Sequence, residues 1–305
     1  MEKKATRNAY GDALKKLGEI NKNVVVLDAD LSGSTMTKTF KSAFNDRFFN
    51  MGISEQNMMG AAAGFAIAGK IPFASTFAIF GAGRAFEIIR NSICYPKLNV
   101  KIAVTHAGIS VGEDGGSHQA IEDIALMRSI PNMTVIVPCD ALETEKAIFA
   151  AAEFNGPCYL RMARPATRII TTDSTPFTIG KANILKEGSE ICIFATGILV
   201  PEALEAAEML EKDGISTTVV NIHTIKPIDR ETIISMAKKH KKLISFEEHS
   251  IIGGLGSAIS EVLTEEYPAQ LIRVGVNDTF GESGTVEELM EKYGLTAKSL
   301  YNKIK

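Results

Sequence analysis

The sequence predicts an α/β protein of two doubly wound domains, each a mainly parallel sheet with helices on both faces. Three observations carry this. Short continuous apolar runs alternate with segments of helical period. One stretch, residues 163–181, breaks the alternation with two prolines and a scatter of Thr and Ser. The 305 residues, 45% of them hydrophobic, suffice for about two cores. The expected division is a first domain over 1–165, a linker over 166–181 and a second domain over 182–305.

The elements follow in order. Residues 5–20 place Tyr10, Ala13, Leu14 and Leu17 at a helical period. The run VVVLDAD (24–30) reads as a buried parallel strand. It opens at its carboxyl end into a Ser/Thr/Gly loop over 31–37, and ligands of open α/β sheets gather at such ends. NMGISEQNMMGAAAG (50–64) reads as a turn into a helix. Ser54 is its candidate N-cap, and Ala61 to Gly64 are small enough for close approach of a backbone or a flat ligand. Glu55 lies in the first turn, where the helix dipole alone explains an acid.

Further strands are expected at 72–76, 101–107, 133–138 and 158–163, with helices at 81–92, 120–130 and 141–154. Beyond the linker, EICIFAT, STTVVNI, KLISFEE and LIRVGV read as strands, with helices at 201–212 and 231–239.

Composition excludes several classes. Net charge is −3 without a basic block, so there is no electrostatic footprint for nucleic acid or a membrane surface. No apolar run approaches the roughly 20 residues of a membrane span, and the N-terminus lacks a signal-peptide core. Cys94, Cys139, Cys158 and Cys192 are widely spaced and read as buried thiols of a reducing cytoplasm.

The densest polar cluster runs from His106 to His118. It holds Glu113, Asp114 and glycines at 108, 112, 115 and 116. Glycines so closely spaced allow positive φ and close backbone approach to a ligand. A single histidine is usually a satisfied core or surface group. Two flanking a Gly-rich polar loop at a strand's carboxyl end point to a ligand site. They are too far apart to share a helical face, and no third close ligand completes a zinc set, so no metal ligands are expected. No Gly-x-Ser-x-Gly elbow appears. GGLGS (253–257) precedes a helix and could cradle an anion. It lacks Rossmann spacing, and strand-to-helix packing is its simpler purpose. Phe77 and Phe80 suit either core packing or a platform for a flat heteroaromatic ring. Composition does not separate the two.

GISEQNMMGAAAG, STFAIF, THAGISVGEDGGSHQ and IPNMTVIVPCDA, in this order and spacing, resemble the C-terminal half of transketolase, a thiamine-diphosphate enzyme. The resemblance covers nearly the whole chain. It implies a pyrimidine-binding domain followed by the family's C-terminal domain. The family's diphosphate-binding domain, with its Gly-Asp-Gly metal motif, is not in this sequence. The resemblance is therefore to the C-terminal subunit of a split, two-chain transketolase. It implies an N-terminal partner subunit supplying Mg²⁺ and the diphosphate grip, within an α2β2 assembly that contains a homodimer of this chain. The implied activity is reversible transfer of a two-carbon ketol group from a ketose phosphate to an aldose phosphate, a reaction of the pentose phosphate pathway.

Residue roles follow from the resemblance. Glu55 resembles the glutamate that exchanges a proton with N1′ of the cofactor's aminopyrimidine, and thiamine serves as the electron sink. Phe77 and Phe80 resemble the aromatic wall of that ring, and Asp30 and Leu31 match positions lining the cofactor. A third family aromatic, expected near position 83, is Gly83 here. His106 and Asp114 resemble groups that bind sugar hydroxyls. Arg7, Ser34, His118 and Arg164 resemble a phosphate clamp. Two guanidinium forks, a hydroxyl and an imidazole suit a phosphate monoester. With Glu55, His106 and His118 are the catalytic candidates. Arg7 and Arg164 come from opposite ends of the first domain, so the clamp requires them to converge.

Other readings share parts of the pattern. Deoxyxylulose-phosphate synthases share the acid-bearing helix but would carry an arginine at the place of His106. The β-subunit of a 2-oxo-acid dehydrogenase shares the two-domain plan, yet has little use for a phosphate clamp. A non-catalytic module of the same fold would not need Glu55, Asp114 and His118.

Overall fold

The computed structural model describes residues 2–305. Its strands are β1 (Lys3–Ala5), β2 (Val24–Asp28), β3 (Phe48–Asn50), β4 (Ile71–Phe77), β5 (Lys101–Thr105), β6 (Thr134–Ile136), β7 (Cys158–Arg161), β8 (Ala166–Arg168), β9 (Asn183–Lys186), β10 (Ile191–Ala195), β11 (Thr217–Asn221), β12 (Thr224–Lys226), β13 (Lys242–Ser250) and β14 (Leu271–Val276).

The first sheet has the order β12-β6-β7-β5-β4-β2-β3. All its pairs are parallel except β12 with β6. Every residue of β2 and β5 is buried, as an apolar run covered on both faces requires. Strand order reverses beside β2, with β3 on one side and β4 on the other, which opens a crevice at the carboxyl ends. The second sheet, β14-β13-β10-β11-β9, is parallel apart from β9 on its edge. Both sheets are covered by helices, so the expected fold class is the observed one.

β3, β9 and the helices Ser32–Thr35, Lys38–Ala43, Val286–Lys292 and Ala297–Ile304 were outside the sequence reading, as were three features that shape the site or the sheet edge. β12 comes from the second half of the chain yet closes the edge of the first sheet. There Lys226 Nζ donates to the carbonyls of Arg128 (2.8 Å) and Ile130 (2.6 Å). β1 and β8 form a separate antiparallel ribbon pairing Lys3 with Arg168 and Ala5 with Ala166, so the expected linker begins as a strand. Between 80 and 94, the expected single helix is broken into wide π-type turns, Phe80–Arg84 and Ile89–Cys94, around Phe86–Ile88. Such turns inside helices often lie at functional sites.

The GGLGS turn is explained by a carboxyl group of the chain itself, whose pKa burial raises to about 7. Glu247, fully buried on β13, accepts from the backbone amides of Leu255 (2.6 Å) and Gly256 (2.8 Å). The N-terminus of the Leu255–Glu266 helix is thereby capped from within. A Cβ on Gly254 would lie 2.0 Å from Glu247 Oε2, so glycine here makes room for the carboxylate. Glu247→Ala and Gly254→Ala are each expected to lower unfolding free energy by about 2–4 kcal/mol. Urea titration of the double variant should show less than the sum, because both changes act on one seat.

Candidate active site

The crevice is built from strand ends. Asp28 closes β2 and is fully buried. Its Oδ1 accepts from the Leu31 amide (2.6 Å), and its Oδ2 from Thr35 Oγ1 (2.7 Å) and Thr37 Oγ1 (2.8 Å). Burial raises its pKa, and these hydrogen bonds oppose the rise. The segment over 31–37, expected as a loop, contains a short helix at Ser32–Thr35, and it is pinned to the strand end in this way with Leu31 and Ser34. Asp28 was missed in the sequence; its signal was an acid ending an uninterrupted buried run. Asp30 follows in the left-handed region (φ 64°), and its Oδ1 accepts from Asn50 Nδ2 at 2.8 Å.

The ends of β4 and β5 supply the aromatic groups. Phe77 and Phe80 stack with centroids 6.0 Å apart. His106 stacks on Phe77 at 3.9 Å, and His118 meets the Phe80 ring edge-on at 5.4 Å. His106 is itself left-handed (φ 57°), a conformation that turns the chain sharply off β5 into the glycine loop. Arg7 Nη1 lies 3.3 Å from His106 Nε2 and donates to the Ser34 carbonyl at 3.1 Å. A guanidinium only donates, so Nε2 accepts. The proton then sits on Nδ1, 2.8 Å from Thr105 Oγ1. Burial, followed by the cations Arg7 and Arg164, pushes the His106 pKa down to about 3.

The β1–β8 ribbon brings the two ends of the first unit together. Arg7 and Arg164 line one cavity of about 500 Å³, together with Lys3, Lys4, Asn8 and Glu113. Arg164 donates to the Val111 carbonyl and to Glu113 Oε2 (2.9 Å). Arg7 Nε is buried and has no hydrogen-bond partner among the described residues. Arg7 thus meets His106, whereas His118 bonds Ser117 Oγ at 3.0 Å and faces Phe80.

Glu55 opens the Glu55–Ile67 helix and is only 4% exposed. Ser54 occupies the N-cap position without a side-chain capping bond. Arg84 Nη1 lies 3.5 Å from Glu55 Oε1, and the Arg84 guanidinium lies 4.3 Å over the Phe80 ring. The sequence reading had not singled out Arg84. A Cβ at Gly83 would face open space.

Arg7, Ser34, His106, Phe77, Phe80 and His118 therefore form one contiguous group. Glu55 joins it through Arg84, and Arg164 through the cavity. Asp114 is exposed and makes no side-chain hydrogen bond among the described residues. No group of three or more His, Cys, Asp or Glu side chains among the described residues is arranged to hold a metal ion. Among the described residues no helix is long and apolar enough to cross a membrane.

Fold and site together define an α/β chain of two doubly wound units, with a cationic cavity and an acid–aromatic cluster at the strand-end crevice of the first. Family models agree. Residues 2–169 match the transketolase pyrimidine-binding domain, and residues 180–300 match the transketolase C-terminal domain. An inferred transketolase C-terminal section from Methanocaldococcus jannaschii is 53% identical over 305 residues, covering 99% of this chain and 95% of that protein. A 6-deoxy-6-sulfo-D-fructose transketolase subunit from Clostridium sp. is 42% identical, covering 98% of this chain and 93% of that protein. Mouse transketolase is 38% identical over all of this chain, which spans 49% of its length. A split-gene transketolase solved as an inactive β4 tetramer superposes with a TM-score of 0.92 and 57% identity, over 98% of this chain and 97% of that one. The chain belongs to the transketolase family, as the C-terminal part of a split transketolase. That family depends on thiamine diphosphate.

The geometry at His106 makes a measurable statement. A histidine whose folded pKa is depressed binds more protons when unfolded. It therefore destabilises the fold as pH falls from about 6.5 toward about 3. Ring ¹⁵N NMR should show His106 neutral at pH 5. Arg7→Ala should raise its midpoint by removing a facing cation.

Proposed function

We propose that this chain, as the C-terminal subunit of a two-chain transketolase, transfers a two-carbon ketol group from a ketose phosphate to an aldose phosphate. One observation carries the cofactor half of the reading. The Arg84 guanidinium, a flat cationic N–H donor, stacks on Phe80 at 4.3 Å and sits 3.5 Å from Glu55. It stands in for the aminopyrimidine of thiamine diphosphate, which would make the same two kinds of contact. When bound, thiamine diphosphate supplies an electron sink for cleavage of the ketose carbon–carbon bond. Glu55 holds or releases a proton at N1′. Phe77 and Phe80 would wall the ring, and Asp30 and Leu31 would line it. Burial of Glu55 excludes water from the proton exchange.

The clamp rests on the cavity shared by Arg7 and Arg164. Arg7 Nε is buried without a hydrogen-bond partner among the described residues, and a phosphate oxygen is an acceptor of the kind that would satisfy it. Because His106 contacts Arg7, His106 belongs with Ser34 at the phosphate end. His118, beside Phe80, and exposed Asp114 are left to the sugar hydroxyls. The domain limits 1–165 and 182–305 are part of this reading.

The Mg²⁺ and diphosphate are assigned to an N-terminal partner subunit within an α2β2 assembly. The matched length, about half of mouse transketolase, supports this. So does the inactive β4 tetramer formed by the split-gene relative. Exposed Gln56, Gly60 and Gly64, between exposed Ile53 and Ile67, offer a flat helix face for a second copy. A cytoplasmic setting fits the four free, buried cysteines.

Reconstitution with a subunit carrying the diphosphate-binding domain, thiamine diphosphate and Mg²⁺ should produce ketol transfer that the lone chain lacks. Full turnover by the lone chain would overturn the two-chain reading. In the complex, Glu55→Gln should cut kcat by at least about a hundredfold with the fold intact. Unchanged proton exchange at the thiazolium C2, followed by NMR, would remove Glu55 from the mechanism. Arg164→Ala should raise KM for a phosphorylated ketose about a hundredfold, against less than about threefold for its unphosphorylated counterpart. Equal effects would make the arginine structural.

A further inference from the structure

We propose that Glu248, on β13 of the second unit, is a positioning residue for the loop between His106 and His118. This deepens the reading above and rests on it for the loop's role toward the sugar phosphate. Glu248 is 3% exposed, and its Oε1 accepts from the backbone amide of Ser110. The side chain lies flat against Gly108. A Cβ there would fall 2.4 Å from Glu248 Cδ and 2.5 Å from its Oε1. Gly108 is therefore glycine for two reasons, its φ of 80° and the carboxylate that fills its side-chain space.

The same residue holds the other end of the loop. Its backbone carbonyl accepts from Arg161 Nη2 at 3.0 Å, and that nitrogen also donates to the Ala120 carbonyl at 3.2 Å. The Gly108 amide donates to the Ala120 carbonyl at 2.9 Å, so both loop ends meet where Glu248 sits. Arg161 is fixed in turn by Asp123, with Nε 2.8 Å from Oδ2. Between these ends the loop is one irregular 3₁₀ stretch, Ile109–Asp114, with left-handed Gly112 inside it and left-handed Gly115 directly after it. Such a segment has no ladder of its own to set its path. A buried carboxyl oxygen accepting at Ser110 fixes it two residues beyond Gly108 and four beyond His106.

The second unit thus shapes the substrate side of the first through one carboxylate. Glu247, its neighbour in sequence, is equally buried but caps the Leu255–Glu266 helix, and so provides a matched control.

The experiment uses the full chain, alone and in the reconstituted complex. Ring ¹⁵N spectra of His106 and His118 are recorded for wild type, Glu248→Ala, Glu248→Gln and Glu247→Ala. The expected result is displaced or broadened His106 and His118 signals in Glu248→Ala. In the complex, KM for the phosphorylated donor should rise about tenfold with a smaller loss of kcat. Glu248→Gln keeps an oxygen toward Ser110 and should recover most of both. Glu247→Ala should lose stability without moving either histidine. Unchanged histidine signals in folded Glu248→Ala would overturn the proposal, as would equal displacement in Glu247→Ala. If Glu248→Ala does not fold, Glu248→Met, which removes the acceptor while filling its space, must give the same histidine changes, or the proposal fails. The spectra do not depend on turnover. A complex without ketol transfer but with the expected spectra would overturn the functional reading and leave the positioning role standing.

Discussion

The geometry of the site depends on the buried junction of Asp123, Arg161 and Glu248, where the two units of the chain are registered against each other. The Asp123–Arg161 pair is almost wholly excluded from water, at 1% and 6% exposure. A pair so placed gains little net stability, because desolvation offsets most of the attraction. Adhesion comes instead from an apolar cluster that runs across both units, joining Val135 and Val137 to Phe194, Val220, Ile222 and Leu255. An apolar surface alone tolerates sliding. The ion pair, with Arg161 reaching the carbonyls of both Ala120 and Glu248, allows one register only. That register determines where the loop from 106 to 118 can lie.

A second constraint acts at the start of the chain. β1 is three residues long and pairs only with β8, across most of the first unit's sequence. It gives the molecule little cohesion by itself. Its effect is to seat the first turn of the Thr6–Ile20 helix beside Arg164, where Thr6 Oγ1 accepts from the Ala163 amide at 2.9 Å. Two guanidinium groups facing one cavity repel each other, and Arg7 is already pushed below its usual pKa by burial and by Arg164. The ribbon holds both guanidinium groups on that cavity despite the repulsion, and Glu113 pairs with one of them.

What the sequence revealed follows from the range of the interactions. Buried strands such as β10 and β13, and amphipathic helices such as Thr6–Ile20, are written in local period, and their expected places agree with the structure. β1, β8 and β12 are three-residue segments with no period of their own, and only distant partners make them strands. Candidate residues were legible as types, since arginines, histidines and paired phenylalanines carry recognisable chemistry. Their pairings were not. Which histidine meets Arg7 depends on the left-handed turn at His106, a backbone property that no residue type encodes. Asp28 and Glu248 carry no pairing signal either: Asp28 only ends an apolar run, Glu248 lies in the polar end of β13, and their partners are backbone amides or hydroxyls from loops.

Arg84 connects these points. Its guanidinium is 55% exposed, yet it lies on an aromatic face and beside an acid that is almost fully buried. A buried carboxylate with no close cation would be strongly destabilised in its charged form. In the chain by itself, Arg84 meets that need from the solvent side, using a long side chain that can swing away. On the proposed reading, a ring stacked on this face of Phe80 would take the place of the Arg84 guanidinium. Glu55 therefore has a charge partner in either condition, provided that whatever replaces Arg84 also presents an N–H. This requirement selects a nitrogen heterocycle over an aromatic hydrocarbon of equal size.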